Sequence, residues 1–355
     1  MEFSYFIVIL TDECNFNCSY CYQKRGNTYL DSTVLKKSFN FFLPFLKEEC
    51  FIGFTGGEPL LAFNLIEQAV NHLKNNTLGK EIKFSLTTNG SLINEDILNF
   101  LSQHKFSIVL SFDGLAQDEF RRKGSFEQLI RTIKKILNEE DIVLEINSVF
   151  TPDTVRYFSD SMKSLIDLNV SNISFALSKI PEWDLPSLIL LEKELESLRT
   201  FSLRYYKKTG TIPLPSMWRR YRREIFSCAA GKHRMALAPD GMLWGCYLFP
   251  EHFKGKEGTR EYQRYAFGDV DAFIENHERI YTEVMTNYLN LRMDKFYTDD
   301  QTCIQCVDLK ECWTCPLDAA FSTSIIGKIP GWTCKIKKIF RKEKELFWKE
   351  LDALK

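Results

Sequence analysis

Apolar residues follow two periods along the first half of the chain. Short runs rich in β-branched and aromatic residues, at Tyr5–Leu10, Phe51–Phe54, Ile82–Thr87, Phe106–Phe112, Ile142–Phe150 and Ile173–Leu177, predict buried strands. Between them apolar positions recur at helical spacing: Leu65, Ile66, Ala69, Val70 and Leu73; Ile97, Leu98 and Leu101; Phe126, Leu129, Ile130, Ile133, Ile136 and Leu137; Val155, Phe158, Met162 and Leu165. Strands that alternate with helices pair in parallel through right-handed crossovers. The predicted fold is α/β, a partial (β/α)6 TIM-like barrel, in which ligands sit at the C-terminal ends of the strands.

The pattern changes after the sixth strand, and the barrel is expected to end near Lys179. A helix carrying Leu188, Leu191, Leu195 and Leu198 leads away, and a hairpin is predicted around the turn Pro239-Asp240-Gly241. A Lys-rich final helix at Ile336–Leu354 packs by its apolar stripe. The expected division is a barrel over residues 1–208, a linker over 209–227, a cysteine-rich domain over 228–334 and a C-terminal helix over 335–355. The linker contains Arg219, Arg220, Arg222 and Arg223, a solvated face or a dock for an acidic partner.

With 355 residues, 45% of them hydrophobic, the chain can bury a barrel-sized core and carry an appendage. Its 46 basic and 47 acidic residues balance, so neither nucleic acid nor a membrane surface is expected as the main partner. No apolar run is long enough to span a bilayer, and the start lacks the flanks of a signal peptide, so a cytoplasmic location is expected. Eleven cysteines in a reducing compartment point to metal rather than disulfides.

Three of them, Cys14, Cys18 and Cys21, follow the first strand with the spacing Cys-x3-Cys-x2-Cys. Three thiolates can hold an iron–sulfur cube and leave its fourth iron free. A zinc loop is the alternative, although structural zinc wants four ligands. The second strand ends in Thr55-Gly56-Gly57-Glu58-Pro59, whose glycines permit close approach to a ligand and whose carboxylate can receive an ammonium group. With Tyr20 just before the third cysteine, these motifs make the chain resemble the radical S-adenosylmethionine (SAM) superfamily. The resemblance implies a [4Fe–4S] cluster on Cys14, Cys18 and Cys21, with SAM on its fourth iron. It also implies SAM contacts at Tyr20, Gly56, Gly57, Glu58, Thr88, Asn89, Ser111, Arg121 and Leu177. For Ser111 and Arg121 the competing readings are a strand-end hydroxyl and a solvated surface arginine.

Seven further cysteines follow residue 227: Cys228 and Cys246 flank the hairpin, Cys303, Cys306, Cys312 and Cys315 form a tight group, and Cys334 comes last. The tight group alone could hold one zinc ion. As a whole, residues 228–334 resemble the SPASM extension of many radical SAM enzymes, which carries two auxiliary iron–sulfur clusters. One spacing departs from that family: two residues separate Cys312 from Cys315 where three are usual. The resemblance assigns Cys303, Cys306, Cys312 and Cys334 to the outer cluster, and Cys228, Cys246 and Cys315 to the inner one. The inner cluster is then one ligand short. A substrate thiol or amide, or His233, would complete it; a surface histidine is the plainer reading of His233.

For function, the resemblance implies three [4Fe–4S] clusters and a 5′-deoxyadenosyl radical, made from SAM, that takes a hydrogen from an unactivated carbon. Members with the extension act on ribosomally made peptides or protein side chains, as sulfatase-maturating enzymes, cross-linkers or epimerases. Sulfatase-maturating members use an aspartate just after the hairpin cysteine, and here Tyr247 stands there, so that base is missing; Glu251 is nearby in sequence, and nothing in the sequence shows that it substitutes. An epimerase needs a spare thiol, and the one cysteine left, Cys50, lies at the wrong end of the barrel and reads as a small buried residue. The expected activity is therefore oxidative cross-linking of a ribosomal precursor peptide, by a carbon–carbon or thioether bond, with the auxiliary clusters accepting the substrate's electron. Because the chain starts almost on its first strand, a separate protein or the second domain's groove is expected to recognise a leader sequence. A flavodoxin or ferredoxin is the expected electron donor. Intact motifs speak against a non-catalytic iron–sulfur or zinc protein.

Overall fold

Six strands form in parallel where the periodicity predicts them. They are β1 (Phe3–Ile9), β2 (Leu46–Thr55), β3 (Glu81–Thr88), β4 (Ser107–Ser111), β5 (Val143–Phe150) and β6 (Asn172–Leu177), in the spatial order β6-β5-β4-β3-β2-β1. Each crossover carries a helix: α1 (Ser32–Phe42), α2 (Phe63–Asn75), α3 (Glu95–Gln103), α4 (Ser125–Leu137) and α5 (Phe158–Asp167). This computed structural model describes residues 1–178, 180–220 and 224–354, so Lys179, Arg222 and Arg223 lie outside the described residues.

The helices form because their apolar stripes find the sheet. On α4, Leu129, Ile133 and Ile136 are fully buried on one face, each side chain stabilising the fold by roughly 1.5–3 kcal/mol. Helix α1, which the periodicity did not single out, buries Leu35, Phe39 and Phe42 the same way. Its stripe runs straight into Leu43 and Phe45, which blurs the period, but Asp31 marks its start by accepting from the N–H groups of Thr33 and Val34. Strand β2 begins five residues before the predicted run, at Leu46; polar Lys47, Glu48 and Glu49 hid the start, and Cys50 lies inside the strand.

Barrel interiors are usually filled by bulky branched side chains. Here Gly53, Ser85 and Ser107 stand in register beside Ile7 on neighbouring strands, and these small groups leave the interior hollow. The hollow is a cavity of about 850 Å³, with side chains from all six parallel strands on its wall. Its floor is the stack of Tyr5 on Phe51, with centroids 4.8 Å apart, and the Lys83 ammonium lies 5.8 Å from the Phe51 ring.

The sheet stays open, with β6 at one edge. On the other side the predicted hairpin forms as β7 (Arg234–Leu237) and β8 (Leu243–Trp244), with Gly241 in the turn at φ +82°. Strand β7 pairs in parallel with β1, setting Arg234 opposite Tyr5, so the hairpin extends the barrel's own sheet. The hairpin pattern was legible locally, whereas its pairing partner lies more than two hundred residues away in sequence.

Helix α6 (Leu185–Thr209) packs against the C-terminal helix, which spans Gly331–Asp352. Arg199 and Glu343 pair at 2.9 Å in a buried contact, and Arg199 also pairs with Glu350. The expected linker is packed at Leu214, Met217 and Trp218, which are buried; Trp218 stacks on Phe347 with centroids 4.3 Å apart. Arg220 lies over Trp348 and pairs with Asp352 at 3.1 Å, a structural role for that part of the basic stretch. No described helix is long and apolar enough to cross a membrane.

Candidate functional site

The chain leaves β1 into a segment held by the turn after β2. The N–H groups of Gly57 and Glu58 donate to the carbonyls of Thr11 and Glu13, both at 2.8 Å. A Cβ at Gly56, where φ is +150°, would stand 2.4 Å from the Thr11 carbonyl oxygen, and one at Gly57 would stand 2.2 Å from that of Glu13. The glycines thus serve first the close approach of the turn to the backbone before Cys14, where the sequence suggested approach to a ligand. Both also line the cavity.

Glu58, expected to receive an ammonium group, has a structural role of its own. It is fully buried and off the cavity wall, and its carboxylate accepts from Leu60 N at 3.1 Å, Thr88 Oγ1 at 2.7 Å and Asn89 N at 2.8 Å. It ties the β2 turn to the β3 turn, leaving Thr88 and Asn89 to face the cavity. Burial pushes its carboxyl up to about 7, against three donors that favour the ionised form. Raising a carboxyl in the folded state stabilises below its unfolded value, and that stability is lost as pH rises through the folded value. Urea unfolding of the apoprotein from pH 4.5 to 8 should therefore show wild type losing stability relative to Glu58→Gln, most steeply up to about pH 7. A difference that stays flat across that range would remove the titration from Glu58.

At the β4 end, Asp113 organises the opposite wall. It is fully buried and accepts from the Tyr20 hydroxyl, from Val149 N at 2.7 Å and from Arg121 Nη2 at 2.9 Å, with Arg121 Nε 2.8 Å away. Arg121 is itself buried and lines the cavity, so its reading as a solvated surface residue falls. Asp113 was missed as a site residue; its only sequence signal was the Asp113-Gly114 turn closing the fourth strand. Asp113→Ala would strand a buried guanidinium, and we expect it to cost about 3–5 kcal/mol of unfolding free energy, read from urea unfolding. Asp113→Asn should cost less, because an amide oxygen still accepts.

Cys14, Cys18, Cys21, Tyr20, Ser111, Arg121 and Leu177 share the cavity wall with Gly56, Gly57, Thr88 and Asn89. Asn89 Nδ2 donates to Asn15 Oδ1 at 2.8 Å and lies 4.0 Å from Cys14 Sγ, which fixes the loop against the β3 turn. Burial raises the Cys14 thiol and pushes that of Cys18 up to about 11, with the Arg121 charge opposing the rise at Cys18. Only thiolates bind metal, so a bound iron centre would supply the free energy that deprotonates them.

A second cavity of about 570 Å³ is lined by Cys228, Cys246 and Cys315. Arg234, Tyr247, Leu248 and Asp318 lie on the walls of both cavities and so divide one from the other. The Cys246 thiol is pushed up to about 11 by burial. Cys303 is pushed up to about 12, first by burial and then by the thiols of Cys334, Cys312 and Cys306. Cys315, by contrast, feels Cys246 and Cys228. The fold thus sorts the seven cysteines into Cys303, Cys306, Cys312 and Cys334 on one side and Cys228, Cys246 and Cys315 on the other. Among the described residues no three Cys, His, Asp or Glu side chains converge as ligands of a single ion.

Three candidates fall away from the site. His233 is exposed and off both walls, and its carbonyl accepts from Ser4 N at 2.9 Å and Tyr5 N at 3.1 Å. The carboxylate of Glu251 accepts from Lys24 N at 2.8 Å, in a contact that locks the cysteine loop to the helix Leu248–Phe253. Lys254 completes that lock, 2.9 Å from Asp12 and 2.6 Å from the Lys24 carbonyl. Cys50 is buried in β2, off the cavity wall, 3.9 Å from the Glu81 carbonyl.

Residues 8–165 match the Radical SAM superfamily. An uncharacterised protein of Methanocaldococcus jannaschii is 35% identical over 178 residues, 49% of this chain and 62% of its own length. The radical SAM cyclopropyl synthase TigE of Paramaledivibacter caminithermalis is 24% identical over 314 residues, 78% of this chain and 65% of its own. The chain thus spans less than two thirds of either relative. Among solved structures, anSMEcpe with bound AdoMet shares the fold at a TM-score of 0.76 and 17% identity, over 99% of this chain and 100% of that one.

Proposed function

We propose that the radical SAM domain this chain carries works with the cysteine-rich segment behind it as a maturase that oxidatively cross-links a ribosomally made peptide. The observation that carries this reading is the shared wall: Arg234, Tyr247, Leu248 and Asp318 border both the cavity of Cys14, Cys18 and Cys21 and that of Cys228, Cys246 and Cys315. A substrate segment against that wall is in reach of both.

In this reading Cys14, Cys18 and Cys21 hold one [4Fe–4S] cluster with SAM beside it, the two groups of later cysteines hold two more, and a flavodoxin or ferredoxin delivers electrons. Bound SAM, reduced by one electron, supplies a 5′-deoxyadenosyl radical that takes one hydrogen atom from the substrate. Cys228, Cys246 and Cys315 across the shared wall would hold a cluster able to accept the electron that is released when the substrate's second hydrogen leaves as a proton. The chain's own residues hold geometry. Asp113 fixes Tyr20 and Arg121 on the wall, and Glu58 joins the two turns that present Gly57 and Asn89. Side chains from all six parallel strands line the space in which the substrate would sit.

Formylglycine formation ranks second, because Tyr247 occupies the position of the expected aspartate and Glu251 is held by Lys24 N. Burial raises the Tyr247 phenol, so it stays protonated and does not replace the aspartate as proton acceptor. Co-expression of the enzyme with each short reading frame beside its gene, under anaerobic conditions, should yield one peptide lighter by two hydrogens, about 2 Da, by mass spectrometry. A Cys18→Ala enzyme should leave that peptide unchanged. If every peptide keeps its mass while the enzyme still cleaves SAM, the cross-linking reading fails.

A further inference from the structure

Among the described residues the Arg234 side chain has no hydrogen-bond or ion-pair partner, although Cys228, Cys246 and Tyr247 feel its charge. Pairing of β7 with β1 sets its backbone opposite Tyr5, and its carbonyl accepts from Gly231 N at 3.0 Å, so its place is rigidly defined. Its half-buried side chain opens on both cavities. Among the described residues no carboxylate lies within ion-pair distance of the guanidinium and no acceptor takes any of its donors. The contrast with the other inward arginines is clear: Arg121 is matched by Asp113, and Arg199 by Glu343.

A half-buried guanidinium whose donors have no protein acceptor is free to take an arriving anion, and the charge-assisted contact is stronger there than in open water. Tyr247, Leu248 and Asp318 share its wall, the thiols of Cys228 and Cys246 are near enough to feel its charge, and Tyr22 packs on Phe321 with centroids 4.9 Å apart. The planar fork of an arginine suits a carboxylate, which it binds through two parallel hydrogen bonds.

We infer that Arg234 is a substrate-binding residue that takes a carboxylate of the peptide at the passage between the two cavities. The inference rests on the peptide-maturase reading and deepens it. A peptide anchored there has its neighbouring residue held toward the SAM side, with the three inner thiols behind it. The carboxylate has two possible sources, an Asp or Glu side chain or a free C-terminus, and the two are separable.

The test uses the iron–sulfur-loaded enzyme with SAM, presented with two random nonapeptide pools, one with free and one with amidated C-termini; bound peptides are read by mass spectrometry. Wild type should enrich Asp or Glu at one fixed position in both pools, or else bind only the free-carboxyl pool. Arg234→Gln should bind the enriched peptides about tenfold or more weakly, the loss of a charge-assisted contact. Arg234→Lys should recover part of that loss. Arg234→Glu should move the preference at that position to Lys or Arg. Iron content and SAM affinity of each variant verify that its sites are loaded.

An unchanged acidic preference in Arg234→Glu overturns the inference. So does a wild type indifferent to acids whose Arg234→Gln variant shifts only the paramagnetic resonance signal of the inner iron site. Arg234 would then be a counter-charge for Cys228 and Cys246, whose thiolates its field favours. If neither pool binds, this inference and the peptide reading fall together, whereas retained SAM binding keeps the radical SAM assignment intact.

Discussion

Cys18→Ala should lose about four irons per chain, the content of the cluster proposed for this loop, and with them the proposed SAM cleavage, while keeping its helices and sheet. The three thiols that share the first cavity's wall come from one loop, and two thiolates do not retain a four-iron cube. Nothing in the core depends on the Cys18 side chain: the loop is held from outside it, by the Asn89 to Asn15 contact and by the turn after β2. Anaerobic purification, iron analysis and release of 5′-deoxyadenosine test this directly. Cys50→Ala is the matched control, since that thiol is buried in β2 away from both cavities and should leave the iron count unchanged. Full iron and full cleavage in Cys18→Ala would take the catalytic centre away from this loop.

Gly57→Ala should have the next largest effect. The added methyl group would stand 2.2 Å from the Glu13 carbonyl oxygen and 3.1 Å from that of Asp12, and both obstacles are backbone. The turn and the cysteine loop must move apart, lengthening the 2.8 Å bonds from Gly57 N to Thr11 and from Glu58 N to Glu13. Overpacking and two weakened hydrogen bonds together should cost about 2–4 kcal/mol. Because the displaced segment leads into Cys14, SAM affinity and iron retention at that loop should fall more than global stability does. Isothermal titration with SAM beside urea unfolding separates the two; unaltered SAM affinity would mean that the loop position is not set by this contact.

Much of the fold was readable along the chain. The six parallel strands and four of their five crossover helices follow from spacing alone, because a strand or helix covered by neighbours on a known face must repeat its apolar residues at 2.0 or 3.6 positions. The exceptions have local causes. Helix α1 runs into an apolar turn that hides its period, and the start of β2 is polar because it projects beyond the core. The cysteine spacing and the glycine turn singled out the first cavity, and Tyr20, Ser111, Arg121 and Leu177 are all on its wall.

The reasons those residues are there were not readable. Glu58 and the two glycines were expected to meet a ligand, and they are first of all joints between loops. Asp113, which fixes Tyr20 and Arg121, had no signal beyond a turn. The sequence by itself determined the period of each element and the kinds of donor available, since both depend on residues near each other in the chain. Only the tertiary structure decided which cysteines stand together, that β7 joins β1, and that Arg234 reaches two cavities. Those outcomes depend on strand pairing across more than two hundred residues, which no local pattern encodes.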